Sequence, residues 1–159
     1  MNIFVLDLNP KKCAQYHLNS HVVKMVLETS QILCGVHWMS EGGQYDIPYK
    51  LSHKNHPCSI WARECIENYK WLCELGIELS KEYTLRYGKR HKSEDVIDWC
   101  ISNPPKIHIN GKMTPFALAM PDECKVGNPV ESYRIYYMTE KRKIAVWKNR
   151  EIPSWFKLT

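Results

Sequence analysis

Apolar residues recur every three or four positions along most of this chain, which is the period of an α-helix. Four such stretches follow one another, at about residues 10–37, 57–87, 93–101 and 128–147. Each begins with asparagine, serine or proline, residues that favour a helix start, and the first two are followed by glycine. Asn19 and Ser20 are a second start inside the first stretch, which fits one kinked helix or two abutting ones. We expect four or five helices.

One short stretch at the start of the chain has the character of a strand instead. Residues 2–7 are rich in β-prone side chains and predict a strand or extended segment, with residues 107–109 as a possible partner. Residues 42–56 combine two glycines, a proline and many polar side chains, and predict a long loop. No repeat or linker interrupts the chain. The pattern therefore predicts one compact, mainly α domain over residues 1–159, with a short N-terminal strand.

Composition is that of an ordinary soluble globular protein, with 44% hydrophobic and 25% charged residues. No apolar run is long enough to cross a membrane, and the first residues lack a signal-peptide pattern, so we expect a cytoplasmic protein without membrane contact. Its seven cysteines include no CxxC pair and are expected to be small core residues in a reducing compartment. The net charge of +5 favours an anionic partner, such as DNA or a nucleotide.

A polar stripe runs along the otherwise apolar helix predicted in the first stretch. The stripe consists of His17, His21, Lys24, Glu28 and Gln31. Their spacings place them within roughly 80° of one another around a helix. The stripe is either an ordinary solvent face with a Lys24–Glu28 pair, or the wall of a polar cleft, because buried charges need partners. The two histidines are four residues apart, as zinc ligands can be, but no flanking acid completes a zinc motif. We expect no metal and no cofactor.

The end of the long loop is a second candidate for ligand binding. His53, Lys54, Asn55 and His56 directly precede Pro57. Proline in the first turn of a helix leaves the next N–H groups free and pointing outward, where they can bind an anion. The loop residues would surround such a site with hydrogen-bond donors. The alternative is an ordinary polar helix cap.

Basic residues are mixed with aromatic ones in two further places. Arg86 and Lys89 belong to a basic segment over residues 82–92, which suits phosphate contact and base stacking but also the end of a solvated helix. The last helix carries a second mixture, in which either nucleic-acid contact or core packing explains the tyrosines. Its members are Tyr133, Arg134, Tyr136, Tyr137, Lys141 and Arg142.

Part of the chain resembles a known enzyme family over about residues 15–70. The resemblance is carried by Lys24-x-x-x-Glu28-x-x-Gln31-Ile32-Leu33, Asn55-His56-Pro57 and Trp61. This pattern is similar to that of the pyrimidine-dimer DNA glycosylase/endonuclease family, and to small phage-encoded proteins with the same motif. The chain has no Walker loop, GxGxxG or GxSxG, which argues against NTPases, Rossmann enzymes and α/β-hydrolases.

The resemblance implies a compact helical enzyme that cleaves an N-glycosidic bond of a damaged or modified nucleotide in DNA. In that family an amine attacks the sugar C1′ to form an imine, and a glutamate at the position of Glu28 assists. The prototype uses an N-terminal amine exposed by removal of methionine before a small residue. Here Asn2 is bulky and should leave Met1 in place, so the amine is that of Met1 or of Lys24. His21 would help to keep the amine neutral.

The remaining candidate residues are assigned to substrate binding: His17, Gln31, His53, Lys54, Asn55, His56, Arg86 and Lys89. Direct hydrolysis with Glu28 as the base is a simpler scheme that needs no amine nucleophile. Two other functions remain open: an enzyme that degrades a free nucleotide or nucleotide signal, and a non-catalytic protein that sequesters a nucleotide. Salt dependence separates these from DNA binding, because duplex binding weakens steeply as salt rises. If the protein is phage-encoded, its location would be the host cytoplasm.

Overall fold

A computed structural model describes residues 1–40 and 46–157, and this part of the chain is mainly helical, as predicted. Its six α-helices are α1 (Pro10–Tyr16), α2 (Asn19–Met39), α3 (Pro57–Glu64), α4 (Ile66–Tyr87), α5 (Glu94–Ser102) and α6 (Pro129–Met138). Two short 3-10 helices span Asp122–Cys124 and Arg142–Ile144. Helix α4 packs against α1, α2, α3 and α5 and therefore forms the centre of the fold. The prediction of four or five helices was too low, because two of the apolar stretches are each divided.

The first stretch is divided at His17 and Leu18, which have extended backbone angles. Their main-chain groups bond outside the helices: the Leu18 N–H donates to the Tyr137 hydroxyl, and the His17 carbonyl accepts from Arg86. Two abutting helices, one of the predicted alternatives, are thus confirmed. The prediction that His17 continues the stripe of α2 is wrong, because His17 precedes this break.

The second stretch is divided at Cys65, where a continuous helix had been expected. Cys65 has φ −159° and ψ 162°, so the chain is extended between α3 and α4. Main-chain groups at the two helix ends form hydrogen bonds elsewhere. The Ile66 N–H donates to the His108 carbonyl, and the side-chain amide of Asn68 donates to the Trp61 carbonyl. These bonds replace the intrahelical ones that the break removes.

Helix α6 ends at Met138, well before the predicted end near residue 147. Thr139 leaves helical geometry, and the Thr139 hydroxyl and the Arg142 guanidinium donate to the carbonyls of Ile135 and Met138. Side chains thus satisfy the carbonyls that a continuing helix would have used. The chain then returns to the α1–α2 break, where Trp147 donates to the Tyr16 carbonyl.

The N-terminal residues form a buried segment without regular secondary structure, and the predicted strand is absent from the described residues. The Leu6 N–H donates to the Phe4 carbonyl within the segment, and side chains from the helices bond to its other groups: the Phe4 carbonyl accepts from the Cys13 thiol and the Leu6 carbonyl from Arg134. The possible partner at residues 107–109 is bonded to α4 through His108. Ile3, Phe4, Val5 and Leu6 lie in the core.

Other expectations for the core are confirmed. All seven cysteines are buried and free, and α5 spans the predicted third helix closely. Phe156 is buried against Trp147, as expected for a C-terminal segment that packs back on the body. Residues 42–45 of the predicted loop lie outside the described residues, and 46–56 are irregular. Within the described ranges no helix has the length and apolar character needed to span a bilayer.

Candidate active site

The α-amino group of Met1 lies against the carboxylate of Glu28, near the middle of α2. The Met1 nitrogen is 3.0 Å from Glu28 Oε1, and Glu28 is only 7% exposed. The side chain of Met1 is 1% exposed, whereas the residue as a whole is half-buried. The exposed surface of Met1 therefore belongs to its main chain, which carries the amine. The structure thus holds an amine and a carboxylate in contact at the edge of the core.

Contacts made by the side chains of Asn2 and Met1 hold Met1 in this position, although chain ends are usually mobile. The buried side chain of Asn2 donates to the Ala119 carbonyl at 2.8 Å and accepts from the Tyr133 hydroxyl at 3.0 Å. The Ser59 hydroxyl, in the first turn of α3, lies 3.8 Å from the Met1 sulfur. These contacts fix the direction in which the amine leaves the core.

Lys24, one turn before Glu28, is the second amine at this site. Its Nζ atom is 3.7 Å from Glu28 Oε2, too long for a good hydrogen bond, and its side chain is 63% exposed. Oε2 itself is buried and has no hydrogen-bond partner within the described residues. Of the two amines considered from the sequence, that of Met1 is therefore the closer and the better held.

His21 lies on α2 about two turns before Glu28, stacked on the ring of Phe4 with the ring centroids 4.1 Å apart. Its Nδ1 is hydrogen-bonded to the Tyr137 hydroxyl at 2.7 Å, and the same hydroxyl accepts from the Leu18 N–H. Burial, together with the charges of His17, Lys141 and Lys24, lowers the pKa of His21 to about 2. His21 is therefore a neutral wall of the site.

His17 is fully buried at the α1–α2 break and is enclosed by protein. Its Nδ1 donates to the Cys13 carbonyl at 2.7 Å, and its ring meets the edges of Phe4 and Tyr137. Burial lowers the pKa of His17 to about 4. His17 is therefore enclosed in the core, where a substrate cannot contact it.

The two neutral histidines predict a loss of stability in mild acid. An unfolded histidine binds its proton near pH 6.5, but folded His17 and His21 do so only near pH 4 and pH 2. Between pH 6.5 and pH 4 the unfolded state therefore binds more protons, and the free energy of unfolding falls as the pH falls. Each histidine adds a slope of about 1.4 kcal/mol per pH unit in this window.

Urea unfolding at a series of pH values tests this expectation. The variant His21→Phe keeps an aromatic ring beside Phe4, and its unfolding free energy should depend less steeply on pH than that of the wild type. The control is His108→Phe, on an exposed segment, which should keep the wild-type dependence. A slope in His21→Phe equal to that of the wild type would contradict the neutral, buried state of His21.

His56 is the one residue of the histidine-rich loop that the structure brings to the Met1–Glu28 pair. It is the N-cap of α3, where its Nδ1 accepts from the Cys58 N–H at 3.0 Å. Partial burial, and then the positive charges of the Met1 amine and His53, lower its pKa, while Glu28 acts in the opposite direction. The Cys58 thiol contacts Asn2 at 3.5 Å, so the start of α3 packs directly on the N-terminal segment.

The other predicted binding residues lie at differing distances from this pair. Gln31 is half-buried on α2, one turn after Glu28. His53, Lys54 and Asn55 are exposed in the loop before His56, with His53 in the left-handed region at φ 51°.

The two basic candidates at the end of α4 take different positions. Lys89 is exposed just after α4. Arg86 is 2% exposed and donates to the carbonyls of His17 and Gln15, so it joins α4 to the α1–α2 break. Asn19, the first residue of α2 after that break, lies nine residues before Glu28, or about 13 Å along the helix axis. Arg86 is therefore a structural residue remote from the amine.

Several residues of the site were missed by the sequence analysis. Asn2 anchors the amine, Phe4 stacks on His21, and Ser59 contacts Met1. The apolar character of residues 2–7 indicated that they are buried, but it did not predict which helix they pack against. Within the described residues no group of three or more potential ligands could hold a metal ion.

No family model, curated protein or solved structure matches this chain. The resemblance to the glycosylase family therefore remains a prediction from the motif over residues 15–70. Function is inferred below from the contacts around Met1 and Glu28.

Proposed function

We propose that this protein is a cytoplasmic enzyme that cleaves the N-glycosidic bond of a damaged or modified nucleotide in DNA. The observation that supports this most directly is the 3.0 Å contact between the Met1 amine and the Glu28 carboxylate. An amine and a carboxylate in contact are the two groups that imine-forming glycosidic cleavage requires. The motif around Glu28, found from the sequence alone, supports the same chemistry.

The Met1 amine is the nucleophile in this proposal. Once it has lost its proton, its lone pair attacks C1′ of the sugar, and the bond from C1′ to the base breaks with its electron pair leaving on the base. The departing base takes up a proton. Opening of the bond between C1′ and the ring oxygen then gives an imine between Met1 and the sugar, with the second amine proton transferred to that oxygen.

Glu28 has two roles in this scheme. Its Oε1 atom holds the amine at the edge of the core and receives the proton that the amine releases. Its negative charge stabilises the positive charge that develops on the sugar as the base departs. Burial strengthens that interaction, because little water screens the carboxylate.

Cationic and polar side chains on α2 and on the segment before α3 suit a phosphate-bearing substrate. Lys24 and Lys54 are exposed on the neighbouring elements, and His56 is partly exposed at the start of α3. Lysine ammonium groups bind DNA phosphates without selecting a sequence. Selection of the base would then depend on the rings and amides that line the approach to Met1.

Borohydride trapping tests the proposal. Intact-mass measurement first establishes that Met1 is the first residue and that its amine is free. The protein is then incubated with duplexes that carry ultraviolet-damaged, oxidised, alkylated or abasic sites, and reduced. We expect a covalent protein–DNA adduct, and peptide mapping should locate it on the Met1 amine. No adduct and no abasic product across the panel would refute the proposal.

A single glycine placed before Met1 gives a sharper form of this experiment. The extension keeps every side chain but moves the free amine away from Glu28. We expect the adduct to disappear, whereas the same glycine added at the C-terminus should have no effect. An adduct that persists and maps to Lys24 would instead assign the nucleophile to Lys24.

A further inference from the structure

Helix α6 presents one tyrosine outward, next to a lysine from the turn that follows it. Tyr133 and Tyr137 are fully buried, whereas Tyr136 and Lys141 are half-buried. The Nζ atom of Lys141 lies 5.1 Å from the centre of the Tyr136 ring, and the Lys141 main-chain N–H donates to the Tyr136 carbonyl. We call Tyr136 and Lys141 the α6 patch.

The α6 patch is joined to the candidate active site by a continuous series of rings. The Tyr136 and Phe4 rings are stacked with centroids 6.0 Å apart, and the Phe4 and His21 rings are stacked at 4.1 Å. The Lys141 Nζ atom is also 5.9 Å from the Phe4 ring. Phe4 is three residues from Met1, and His21 is one turn before Lys24. The rings therefore join the patch to α2, the helix that carries Lys24 and Glu28.

Lys141 has no carboxylate partner within the described residues. Lys24 is paired with Glu28 and Arg134 with Asp7, but Lys141, like Lys143, forms no ion pair in the part of the chain that the structure describes. Its contacts are with the faces of two rings, which leave the hydrogen-bond donors of the ammonium free for a ligand. An unneutralised ammonium beside a half-buried aromatic ring fits a phosphate attached to a base.

We propose that the α6 patch binds the DNA strand beside the reacting nucleotide, with Lys141 on a backbone phosphate and Tyr136 against a neighbouring base or sugar. This inference rests on the proposed function, because it assumes a DNA substrate whose reacting sugar meets Met1. Phosphate contacts set the register of a bound strand, and aromatic faces accept any base. The patch positions the substrate and takes no part in bond cleavage.

The test compares Lys141→Gln with Lys143→Gln, which removes an equal charge two residues away on the exposed face of the same turn. The probe is a fluorescent duplex with one tetrahydrofuran abasic analogue, titrated at several salt concentrations. Loss of one phosphate contact should reduce the slope of log affinity against log salt by about 0.9. We expect this reduction for Lys141→Gln only, and Lys141→Arg should restore the wild-type slope.

Tyr136 is tested with the same duplex. Tyr136→Phe keeps the ring and should bind like the wild type, whereas Tyr136→Ala should bind roughly 5- to 100-fold more weakly. Thermal unfolding of each variant shows whether it remains folded. A merely structural role for the patch would alter the melting temperature of Lys141→Gln but leave its salt slope unchanged.

The outcomes separate this inference from the proposed reaction. A borohydride adduct in the wild type, together with equal salt slopes for Lys141→Gln and Lys143→Gln, overturns the patch and leaves the reaction standing. A slope that falls only in Lys141→Gln, without any adduct, supports the patch and refutes the reaction. Absence of salt-dependent duplex binding in the wild type overturns both.

Discussion

Replacement of Glu28 by glutamine is expected to abolish borohydride trapping on the timescale of the wild-type reaction. Glutamine is nearly the same size and keeps a carbonyl oxygen near the Met1 amine, but it cannot accept a proton and carries no charge. Loss of a positioned proton-transfer group typically slows a reaction by roughly 10²- to 10⁴-fold. Single-turnover kinetics of adduct formation on a reactive duplex measure the effect.

The matched control for Glu28→Gln is Glu82→Gln. Glu82 is also a buried, helical carboxylate with a cationic partner, since Arg150 Nε lies 2.5 Å from its Oε1. Removal of its charge should lower stability by a similar mechanism and leave trapping at the wild-type rate. If both variants lose trapping in proportion to their stability, Glu28 would be a structural anchor of the N-terminus and the proposed chemistry would fail.

Arg86→Met is expected to cause the largest loss of stability among simple substitutions in this chain. The Arg86 guanidinium is buried and donates to the carbonyls of His17 and Gln15 and to the Asn19 side chain. Methionine fills much of the same volume but leaves these acceptors without donors. Removal of one partner from a buried polar or charged cluster typically costs about 3–5 kcal/mol. Urea unfolding should show a lower midpoint concentration. The m-value, which is the change in unfolding free energy per molar urea, should not change.

Arg90→Met is the control, because Arg90 has more acidic partners yet lies on the surface. It contacts Glu94, Asp95 and Asp98, but solvent screens those pairs. Its loss should therefore be much smaller than that of Arg86→Met. Equal losses would contradict the structural role given to Arg86. Weaker DNA binding in folded Arg86→Met, with stability unchanged, would return Arg86 to the substrate contacts predicted from the sequence.

Buried contacts of the residues that follow Met1 hold its amine close to Glu28. The side chain of Asn2 bonds to the Ala119 carbonyl and the Tyr133 hydroxyl, and the apolar residues after it are buried. Met1 is thus held by buried contacts immediately behind it, while its main chain reaches the surface. Precise placement of an amine needs such support from neighbouring side chains.

The sequence by itself determined the helical class, most helix starts and the buried cysteines. It also placed His21, Lys24 and Glu28 on one face of α2, because a helix repeats every 3.6 residues and local side-chain preferences decide where it begins. The motif around Glu28 pointed to the same residue as the central carboxylate. These features depend on residues close together in the chain, and a single sequence records them directly.

Only the tertiary structure decided which distant groups meet. The contact of Met1 with Glu28, the burial of Arg86 and the break at His17 all depend on hydrogen bonds to elements far away in the chain. Periodicity shows that a face is apolar or polar but does not identify what will pack against it. The early end of α6 has the same origin, because competing side-chain bonds and packing override helix propensity. Only the fold shows that the Met1 amine lies closer to Glu28 than the Lys24 amine does.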